Sequence, residues 1–395
     1  MSLFFAFNFS FLSAALLIAL SVLFLVELIY LYAIYNRLPH YARLVKAGRV
    51  VYADELPSVS VVVYAHAEDA DGVLQLIPQL MKQQYPCYEV IVVCDGVAHD
   101  MEKAIAAYEC EHSNLYQTFV PETVYNVSRK KLGITLGIKA AKNDVVLVTD
   151  AHCMPTSDRW IYSMARNFVK GVDIVLGHTR KRCNSPREKW HFATFDRITF
   201  SMRYMAYALM SAPYMGMSGN LAYRKELFFA NKGFSSTLNL HFGDDDLLVN
   251  EMSTRYNTRV ELSPESVVES CYENNSEAWS ELRMRYNFTA HYRRSSSKFV
   301  FSLETVLHYL FLLCGIGVVI FSLPNLIGIA AVALVWLIHW LLTWRVYRAG
   351  MKSLGERGIS QLVPFYQFLR PLYSCYYAWL GKRAGNRNFT WQYLR

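Results

Sequence analysis

The first half of the chain alternates short apolar runs with longer stretches of helical periodicity. The predicted strands are residues 58–65, 88–95, 114–120 and 144–150, and the predicted helices between them are residues 72–84, 99–111 and 129–142. Short β-branched runs that alternate with helices are typical of βαβ units, so we predict a largely parallel sheet covered on both faces. In such sheets ligands bind outside the carboxyl ends of the strands.

The second half of the globular region has a less regular pattern. Helical periodicity returns near Arg187–Ser211, at Asp244–Tyr256 and at Glu277–Arg294, and the turn PYMGMSGN lies between the first two. A regular first half with room for a nucleotide, followed by a less regular second half, indicates that two substrates meet along one edge of the domain.

Long apolar segments flank the globular region. Phe11–Tyr35 exceeds the roughly 20 residues that a spanning helix needs. A second region, residues 306–347, divides at Ser322–Asn325 into two apolar stretches, which predicts a helical hairpin. We therefore predict three membrane-spanning helices. A cleaved signal peptide is the alternative for the first segment, but no positive charge precedes that segment and no small-residue cleavage site follows it.

Basic residues close to the predicted spans set the expected orientation. They follow the first span at Arg37, Arg43, Lys46 and Arg49, and the third at Arg345, Arg348 and Lys352. By the positive-inside rule the N-terminus lies outside and the globular domain faces the cytosol. The net charge of +8 includes these clusters, so it indicates attraction to anionic membrane lipids and does not require nucleic acid. The eight cysteines form no CxxC pair, and a cytosolic setting keeps them reduced.

Two ionisable residues fall within the apolar segments. Counted from the basic ends of their helices, Glu27 lies about 12 Å inside Tyr35 and His339 about 9 Å inside Arg345, at about 1.5 Å per residue. Intramembrane ionisable groups usually have a partner in the helix bundle. We therefore predict that Glu27 and His339 pair.

Two predicted strands end in aspartate, at Asp95 and Asp150. An aspartate at a strand end is often a helix cap, which is the better interpretation of Asp95 taken alone. Asp150 and His152 are two residues apart, so in an extended segment their side chains project to one side. A carboxylate with an imidazole suits Mn²⁺ and, less well, Mg²⁺. The alternative is a capping aspartate beside a packed histidine.

The run GDDD contains three consecutive carboxylates, Asp244, Asp245 and Asp246. One of them can cap a helix, but crowded carboxylates also raise one another's pKa, which suits a general base. Arg285 can clamp a phosphate bidentately. For Arg293 and Arg294 we expect a basic face on anionic lipid.

Taken together these segments resemble family 2 of the glycosyltransferases, inverting enzymes with a nucleotide-binding GT-A fold. The similarity covers about residues 57–298. It rests on the order of SVSVVVYAHAE, VVCDG, KKLGITLGIKAAKNDVVLVTDAH, PYMGMSGNLAYRKELF, GDDDLLVNE and WSELRMRY. The sequence looks most like the membrane-bound branch common in Bacteroidetes-type bacteria, and more distantly like ceramide glucosyltransferases and polysaccharide synthases.

The resemblance implies roles for individual residues. Asp95 would contact the nucleotide base, with Glu68 among the donor-binding residues, while Asp150 and His152 would stand at the D-x-D metal motif. Asp245 would be the catalytic base beside Asp244. Arg285, matching the arginine of Q-x-x-R-W, and Lys131 would lie near the diphosphate. Two positions depart from that motif, since Leu282 replaces glutamine and Tyr286 replaces tryptophan, which weakens any assignment as a processive synthase.

The prediction as a whole is an α/β GT-A domain with a Rossmann-like, mostly parallel sheet, one N-terminal and two C-terminal transmembrane helices. Its segments are an anchor at 1–36, the GT-A domain at 50–298, a transmembrane hairpin at 304–347 and a basic, aromatic interfacial tail at 348–395. We expect an inverting glycosyltransferase that uses Mn²⁺ or Mg²⁺ and a nucleotide-diphosphate sugar, most simply a UDP-sugar. Its acceptor would be a lipid or lipid-linked hydroxyl at the cytosolic face of a bacterial inner membrane. The alternatives are a non-catalytic membrane scaffold that retains the fold, and a processive polysaccharide synthase.

Overall fold

The computed structural model describes residues 11–96, 99–123, 127–182, 192–271, 275–293, 296–323, 326–356 and 360–384. Several predicted features extend beyond these ranges. They are the first ten residues of the anchor, the start of the helix predicted near Arg187, the end of the loop at Ser322–Asn325, Arg294, and residues 385–395 of the tail.

The main sheet has seven strands in the order β3-β2-β1-β4-β8-β6-β9. The four predicted strands run parallel to one another, at Val59–His66 (β1), Tyr88–Asp95 (β2), Leu115–Phe119 (β3) and Val145–Asp150 (β4). The sheet continues through β6 (Ile174–Leu176), β8 (Leu221–Arg224) and β9 (Thr258–Val260), and β8 runs antiparallel to both β4 and β6. The predicted mostly parallel α/β sheet is confirmed.

The strand register brings the two predicted strand-end aspartates to one edge of the sheet. Tyr64 of β1 is paired with Asp150 of β4, and His66 of β1 is paired with Asp95 of β2. Because all three strands are parallel, their carboxyl ends open on the same side.

Helices cover the parallel strands at Ala70–Met81 (α3), His99–Glu111 (α4) and Arg129–Ala140 (α5). Two glycines let α5 approach β1 closely. A Cβ at Gly137 would lie 2.6 Å from Val62, and one at Gly133 would lie 2.8 Å from Tyr64. This close packing fixes the N-terminal end of α5 beside the strand ends.

The irregular half contains a small second sheet that the sequence pattern does not predict. Its strands are Cys153–Pro155 (β5), Thr179–Lys181 (β7) and Val268–Ser270 (β10), in the order β5-β10-β7. The helices here are Trp160–Ala165 (α6), Phe192–Leu209 (α7), Lys225–Ala230 (α8), Asp246–Met252 (α9) and Asn275–Thr289 (α10). Helix α9 is shorter than the predicted helix at Asp244–Tyr256, because Asp245 caps its start and the backbone turns extended at Ser253.

Three helices are long and apolar enough to cross a membrane, as predicted. The first comprises Phe11–Tyr30 (α1), a π-helical turn at Leu31–Tyr35 and Arg37–Lys46 (α2), and the others are Ser296–Ser322 (α11) and Leu326–Ser353 (α12). A further helix at Val363–Ala384 (α13) lies within the predicted interfacial tail. The predicted contact between Glu27 and His339 is confirmed, with 3.3 Å between Oε2 and Nε2.

Buried ion pairs join the globular domain to these helices. Arg203 of α7 contacts Glu304 of α11 at 2.6 Å, and the Tyr35 hydroxyl donates to the same carboxylate. After α12, Glu356 contacts Arg197 at 2.8 Å and His178 at 3.3 Å. The domain is therefore held to the helix bundle by largely buried charged and polar groups.

Candidate active site

A cavity of about 320 Å³ opens at the carboxyl ends of β1 and β4. It collects residues from distant parts of the chain. Its polar lining comprises Tyr64, Asp69, Lys130, Asp150, His152, Ser218, Asp244, Asp245, Asp246, Arg285, Tyr286 and Thr289. Of the eight site residues predicted from sequence, it therefore brings together Asp150, His152, Asp244, Asp245 and Arg285.

Asp95 lies beside this cavity and is fully buried. Its carboxylate accepts a 2.7 Å hydrogen bond from Arg129 Nε and a short one from the Tyr64 hydroxyl. Tyr64 in turn lines the cavity. Asp95 thus fixes the orientation of a tyrosine at the wall of the site.

Lys130 is the central cation of the cavity, and sequence analysis did not select it. Its ammonium lies 2.8 Å from Asp150 Oδ1 and 3.0 Å from Asp244 Oδ2. The Ser218 hydroxyl donates to the other oxygen of Asp150 at 2.8 Å. Burial disfavours the charged amine, but the two carboxylates outweigh this and raise the pKa of Lys130 well above its usual value.

Lys131, which sequence analysis did select, points elsewhere. Its side chain is buried, and Nζ donates to the carbonyl oxygen of Thr237 at 2.7 Å. Burial lowers the pKa of Lys131 to about 8. Successive residues on a helix point about 100° apart, so a lysine pair at the start of α5 sends one amine into the cavity and the other into the domain.

His152 and Asp69 form a pair at the cavity wall. Nε2 of His152 lies 2.8 Å from Asp69 Oδ1, and this hydrogen bond raises the pKa of His152 despite its partial burial. Asp69 follows directly after Glu68, the carboxylate predicted from sequence. Glu68 itself is exposed on a 3₁₀ turn at Ala67–Asp69 and does not line the cavity.

Asp69, Asp150 and His152 contribute two carboxylates and one imidazole to the lining of the cavity. Oxygen ligands with a single imidazole suit Mn²⁺ and Mg²⁺. The Lys130 ammonium already occupies a cation position against Asp150. The donor types therefore suit a divalent ion of this class, but these three side chains do not form a group whose ligand atoms all lie within 4.8 Å of one another.

The three aspartates of GDDD have three different environments. Asp244 pairs with Lys130, and this pairing outweighs burial and lowers the pKa of Asp244. Asp246 is fully buried and pairs with Arg293, whose Nε donates at 2.9 Å. The expectation that Arg293 faces lipid is therefore wrong, because the buried carboxylate of Asp246 requires a cation partner.

Asp245 caps α9 and accepts three hydrogen bonds. Oδ1 accepts from the Asp246 backbone N–H at 2.6 Å, and Oδ2 accepts from the Ser218 N–H at 3.1 Å and the Tyr286 hydroxyl at 2.7 Å. Burial, reinforced by the charges of Asp244 and Asp246, raises the pKa of Asp245 to about 8. A carboxylate with a pKa near the working pH is suited to take a proton.

Helix α10 contributes a second wall. Tyr286 donates to Asp245, so the residue that replaces tryptophan in the expected motif supplies the hydroxyl that orients this carboxylate. Arg285 lines the same cavity, stacks 4.3 Å from the centre of the Phe242 ring and pairs with Glu281. Leu282, at the glutamine position, also lines the cavity.

A narrower cavity of about 100 Å³ adjoins the first. The two share Asp150, Ser218, Leu282 and Tyr286. Its other lining residues include Met217, Trp279, Thr179, Lys181 and Arg197. The site therefore has two compartments that meet at Asp150 and Tyr286.

Comparison with known proteins defines the class of this domain. Residues 60–229 match the model of the family described as "Glycosyl transferase family 2". The globular domain therefore has a GT-A fold, and the protein is a glycosyltransferase whose residues 60–229 are similar to that family. No curated protein matches the chain significantly.

Among solved structures, the chain is similar to the mannosyltransferase PcManGT from Pyrobaculum calidifontis in complex with GDP-Man and Mn²⁺. The identity is 17% and the TM-score 0.52, over 92% of this chain and 99% of that one. It is also similar to S. aureus TarS, with 16% identity and a TM-score of 0.40 over 80% of this chain and 53% of that one. GalNAc-T7 with UDP, GalNAc and Mn²⁺ has 13% identity and a TM-score of 0.42, over 60% and 51%. At these identities the first similarity concerns the fold alone, and the other two are too weak to add to it.

Proposed function

We propose that the protein is an inverting glycosyltransferase that moves a sugar from a nucleotide-diphosphate sugar to a hydroxyl of a lipid or lipid-linked acceptor. The observation that supports this most is the placement of Asp245. Its buried carboxylate lies in the cavity that also holds Lys130, Asp150 and Arg285. A proton acceptor thus shares one pocket with cationic groups suited to a diphosphate.

Asp245 accepts the proton of the acceptor hydroxyl as that oxygen attacks the anomeric carbon. The bond from this carbon to the diphosphate oxygen breaks, and the electron pair leaves with the nucleotide. A single displacement inverts the anomeric centre. The Tyr286 hydroxyl and the Ser218 N–H keep Asp245 Oδ2 in place, so the carboxylate needs little reorientation during the step.

The leaving diphosphate requires positive charge. Lys130 and Arg285 supply it from this chain, and we assign to Lys130 the role that the resemblance gave to Lys131. Asp150 and His152, with Asp69, would hold Mn²⁺ or Mg²⁺, which when bound neutralises part of the diphosphate charge. The orientation of Asp150 is maintained by Ser218 and Lys130.

The nucleotide base would lie at the ends of β1 and β2. Asp95 is buried there beside Tyr64, and Glu68 is exposed on the turn after β1. We propose a UDP-sugar as the donor, with Asp95 and Glu68 at the base side. We propose that its relatives within the family are the membrane-bound branch found in Bacteroidetes-type bacteria and, more distantly, the ceramide glucosyltransferases.

A third cavity, here called the cationic cavity, supports a lipid or lipid-linked acceptor. It measures about 550 Å³, lies between α10, α11 and α13, and is lined by Arg203, Arg283, Lys298 and Arg370. Arg283 and Arg370 both contact the single carboxylate of Asp196, so they are incompletely neutralised. Cations at the junction of a globular domain and apolar helices suit anionic headgroups.

The basic residues beside the spans favour an orientation with the catalytic domain in the cytosol. The N-terminus would then lie outside a bacterial inner membrane. The expected partners are a nucleotide sugar, membrane lipids and the lipid acceptor, with no nucleic acid.

A donor screen tests the proposal. Purified full-length protein in lipid nanodiscs is incubated with individual nucleotide sugars, Mn²⁺ and extracted bacterial lipids, and nucleotide release is measured. We expect release with one donor, dependent on lipid, and a loss of about 10²–10⁴-fold in an Asp245→Asn variant. The exposed Asp54→Asn variant is the matched control. Absence of release with every donor would favour the scaffold, and a polymeric product would favour the processive synthase.

A further inference from the structure

Three ionisable residues from three apolar helices meet away from the active site. Glu27 lies on α1, His308 on α11 and His339 on α12. Glu27 Oε2 lies 3.1 Å from His308 Nδ1 and 3.3 Å from His339 Nε2. Glu27 is far in sequence from both histidines, and the two histidines lie on different helices. Only the packing of the helices therefore brings the three residues together.

Two of the three separations between these ligand atoms match the coordination shell of a small metal ion. Ligand bonds of about 2.0–2.1 Å in tetrahedral geometry place neighbouring ligand atoms about 3.3 Å apart. The observed separations are 3.1 and 3.3 Å, and ligand atoms of all three residues lie within 4.8 Å of one another. Two imidazoles with one carboxylate also form a ligand set that Zn²⁺ uses when it keeps its fourth position open.

A second observation concerns the other oxygen of the carboxylate. Oε1 of Glu27 is buried and has no hydrogen-bond partner among the residues that the structure describes. A buried carboxylate oxygen without a partner is costly, and a cation removes that cost. Glu27 and His308 also line the cationic cavity between α10, α11 and α13, so an ion and its fourth ligand have an entry path.

The surroundings hold the imidazole of His339 in place. Its ring lies 5.0 Å from the Phe311 ring and 6.5 Å from the Phe24 ring, measured between centroids. These aromatic rings leave the polar edge of the imidazole directed at Glu27. The ligand is therefore already oriented before an ion binds, which reduces the entropy lost on binding.

We propose that Glu27, His308 and His339 form a binding site for a divalent transition-metal ion of the zinc class. The ion joins α1, α11 and α12, and its fourth position faces the cationic cavity. This site differs from the active site, where Asp69, Asp150 and His152 give a more oxygen-rich set suited to Mn²⁺ or Mg²⁺. The proposal does not depend on the proposed transferase reaction.

Cobalt substitution tests the site. Full-length protein carrying a tag without histidines is stripped with a chelator, placed in nanodiscs and titrated with Co²⁺, whose visible absorption is strong when it is four-coordinate. We expect the native protein and His152→Asn to show this absorption with one equivalent bound at this site. His308→Asn with His339→Asn, and Glu27→Gln alone, should each lose that equivalent, and Zn²⁺ should displace Co²⁺ from the native protein.

His40→Asn is the matched control, because His40 is exposed and lies on α2 outside the cluster. Size-exclusion profiles verify the folding of each variant. If the double variant does not fold, Glu27→Gln, which keeps the side-chain shape, tests the metal site instead. The proposal is overturned if the four-coordinate signal disappears in His152→Asn and persists in Glu27→Gln. It is also overturned if the native protein gives no such signal, in which case the cluster is a hydrogen-bonded triad.

Discussion

Replacing Asp245 with asparagine should reduce nucleotide release by about 10²–10⁴-fold and stabilise the protein at alkaline pH. The carboxyl is 6% exposed, and burial together with Asp244 and Asp246 raises its pKa from 3.8 to about 8. Between these two values the unfolded chain carries an ionised Asp245 while the folded protein holds it protonated. Folding therefore becomes less favourable as the pH rises through this window, and the loss levels off above about pH 8.

The magnitude follows from about 1.36 kcal/mol for each pKa unit. Between pH 5 and pH 8 the native protein should lose up to about 4 kcal/mol through this group, and the asparagine variant lacks that loss. The variant also loses at least one of the hydrogen bonds that Asp245 accepts, at a cost of about 1–3 kcal/mol that does not change with pH. The informative quantity is therefore how the difference in unfolding free energy between Asp245→Asn and the native protein changes with pH.

Thermal unfolding in nanodiscs, followed by intrinsic fluorescence from pH 5 to pH 9, measures this difference. At about 2 °C per kcal/mol, the advantage of Asp245→Asn over the native protein should grow by up to about 8 °C from pH 5 to pH 8 and then remain constant. The exposed Asp54→Asn variant should follow the native curve. A melting-temperature difference that is the same at pH 5 and pH 8 would refute the reasoning, because Asp245 would then ionise in its ordinary range.

Three further substitutions test individual contacts. Lys130→Met should reduce nucleotide release by about 10²–10³-fold, since it removes the cation between the two cavity carboxylates, whereas Lys131→Met should change release far less. Tyr286→Phe should move the alkaline-rising limb of the pH–rate profile to higher pH, because the hydroxyl bond to Asp245 lowers the pKa of that carboxyl; an unshifted limb would exclude the contact. Glu356→Gln should lower stability at pH 7 by about 3–5 kcal/mol, since it leaves the buried guanidinium of Arg197 without its carboxylate partner. Although burial opposes it, Arg197 with His178 lowers the pKa of Glu356 to about 2, so this stabilisation is present above about pH 4.5 and is lost as the pH falls to about 2. If the melting temperatures of Glu356→Gln and the native protein differed by the same amount at pH 3 and pH 7, this pH dependence would be contradicted.

The parallel core of the fold could be predicted from sequence because its signals are local. The β-branched runs at β1, β2 and β4 are bounded by turn residues, and each is followed or preceded by an amphipathic stretch. The same locality explains why the strand ends and their aspartates were found. The small sheet of β5, β7 and β10 was not predicted, because three-residue strands carry too few residues to show a periodicity.

In the candidate site, local sequence patterns also fail to show which of two adjacent residues faces the cavity. Sequence order selected Lys131 and Glu68, whereas the structure directs Lys130 and Asp69 into the cavity. Side chains of successive residues on a helix point about 100° apart. The sequence pattern alone therefore does not show which of two neighbours faces the cavity. Arg293, which follows the end of α10, is expected from the sequence to face lipid because its buried partner Asp246 is distant in sequence.

The sequence by itself determined the four strands β1–β4, which helices are apolar enough to span a membrane, and that Asp95 and Asp150 end two of those strands. These features depend on side-chain polarity and spacing within a short window. Tertiary structure alone decided that Asp245 shares hydrogen bonds with Ser218 and Tyr286. It also decided that His308 joins Glu27 beside the predicted His339. Such contacts join residues tens to hundreds of positions apart, and only the packing of whole helices and strands fixes their distances.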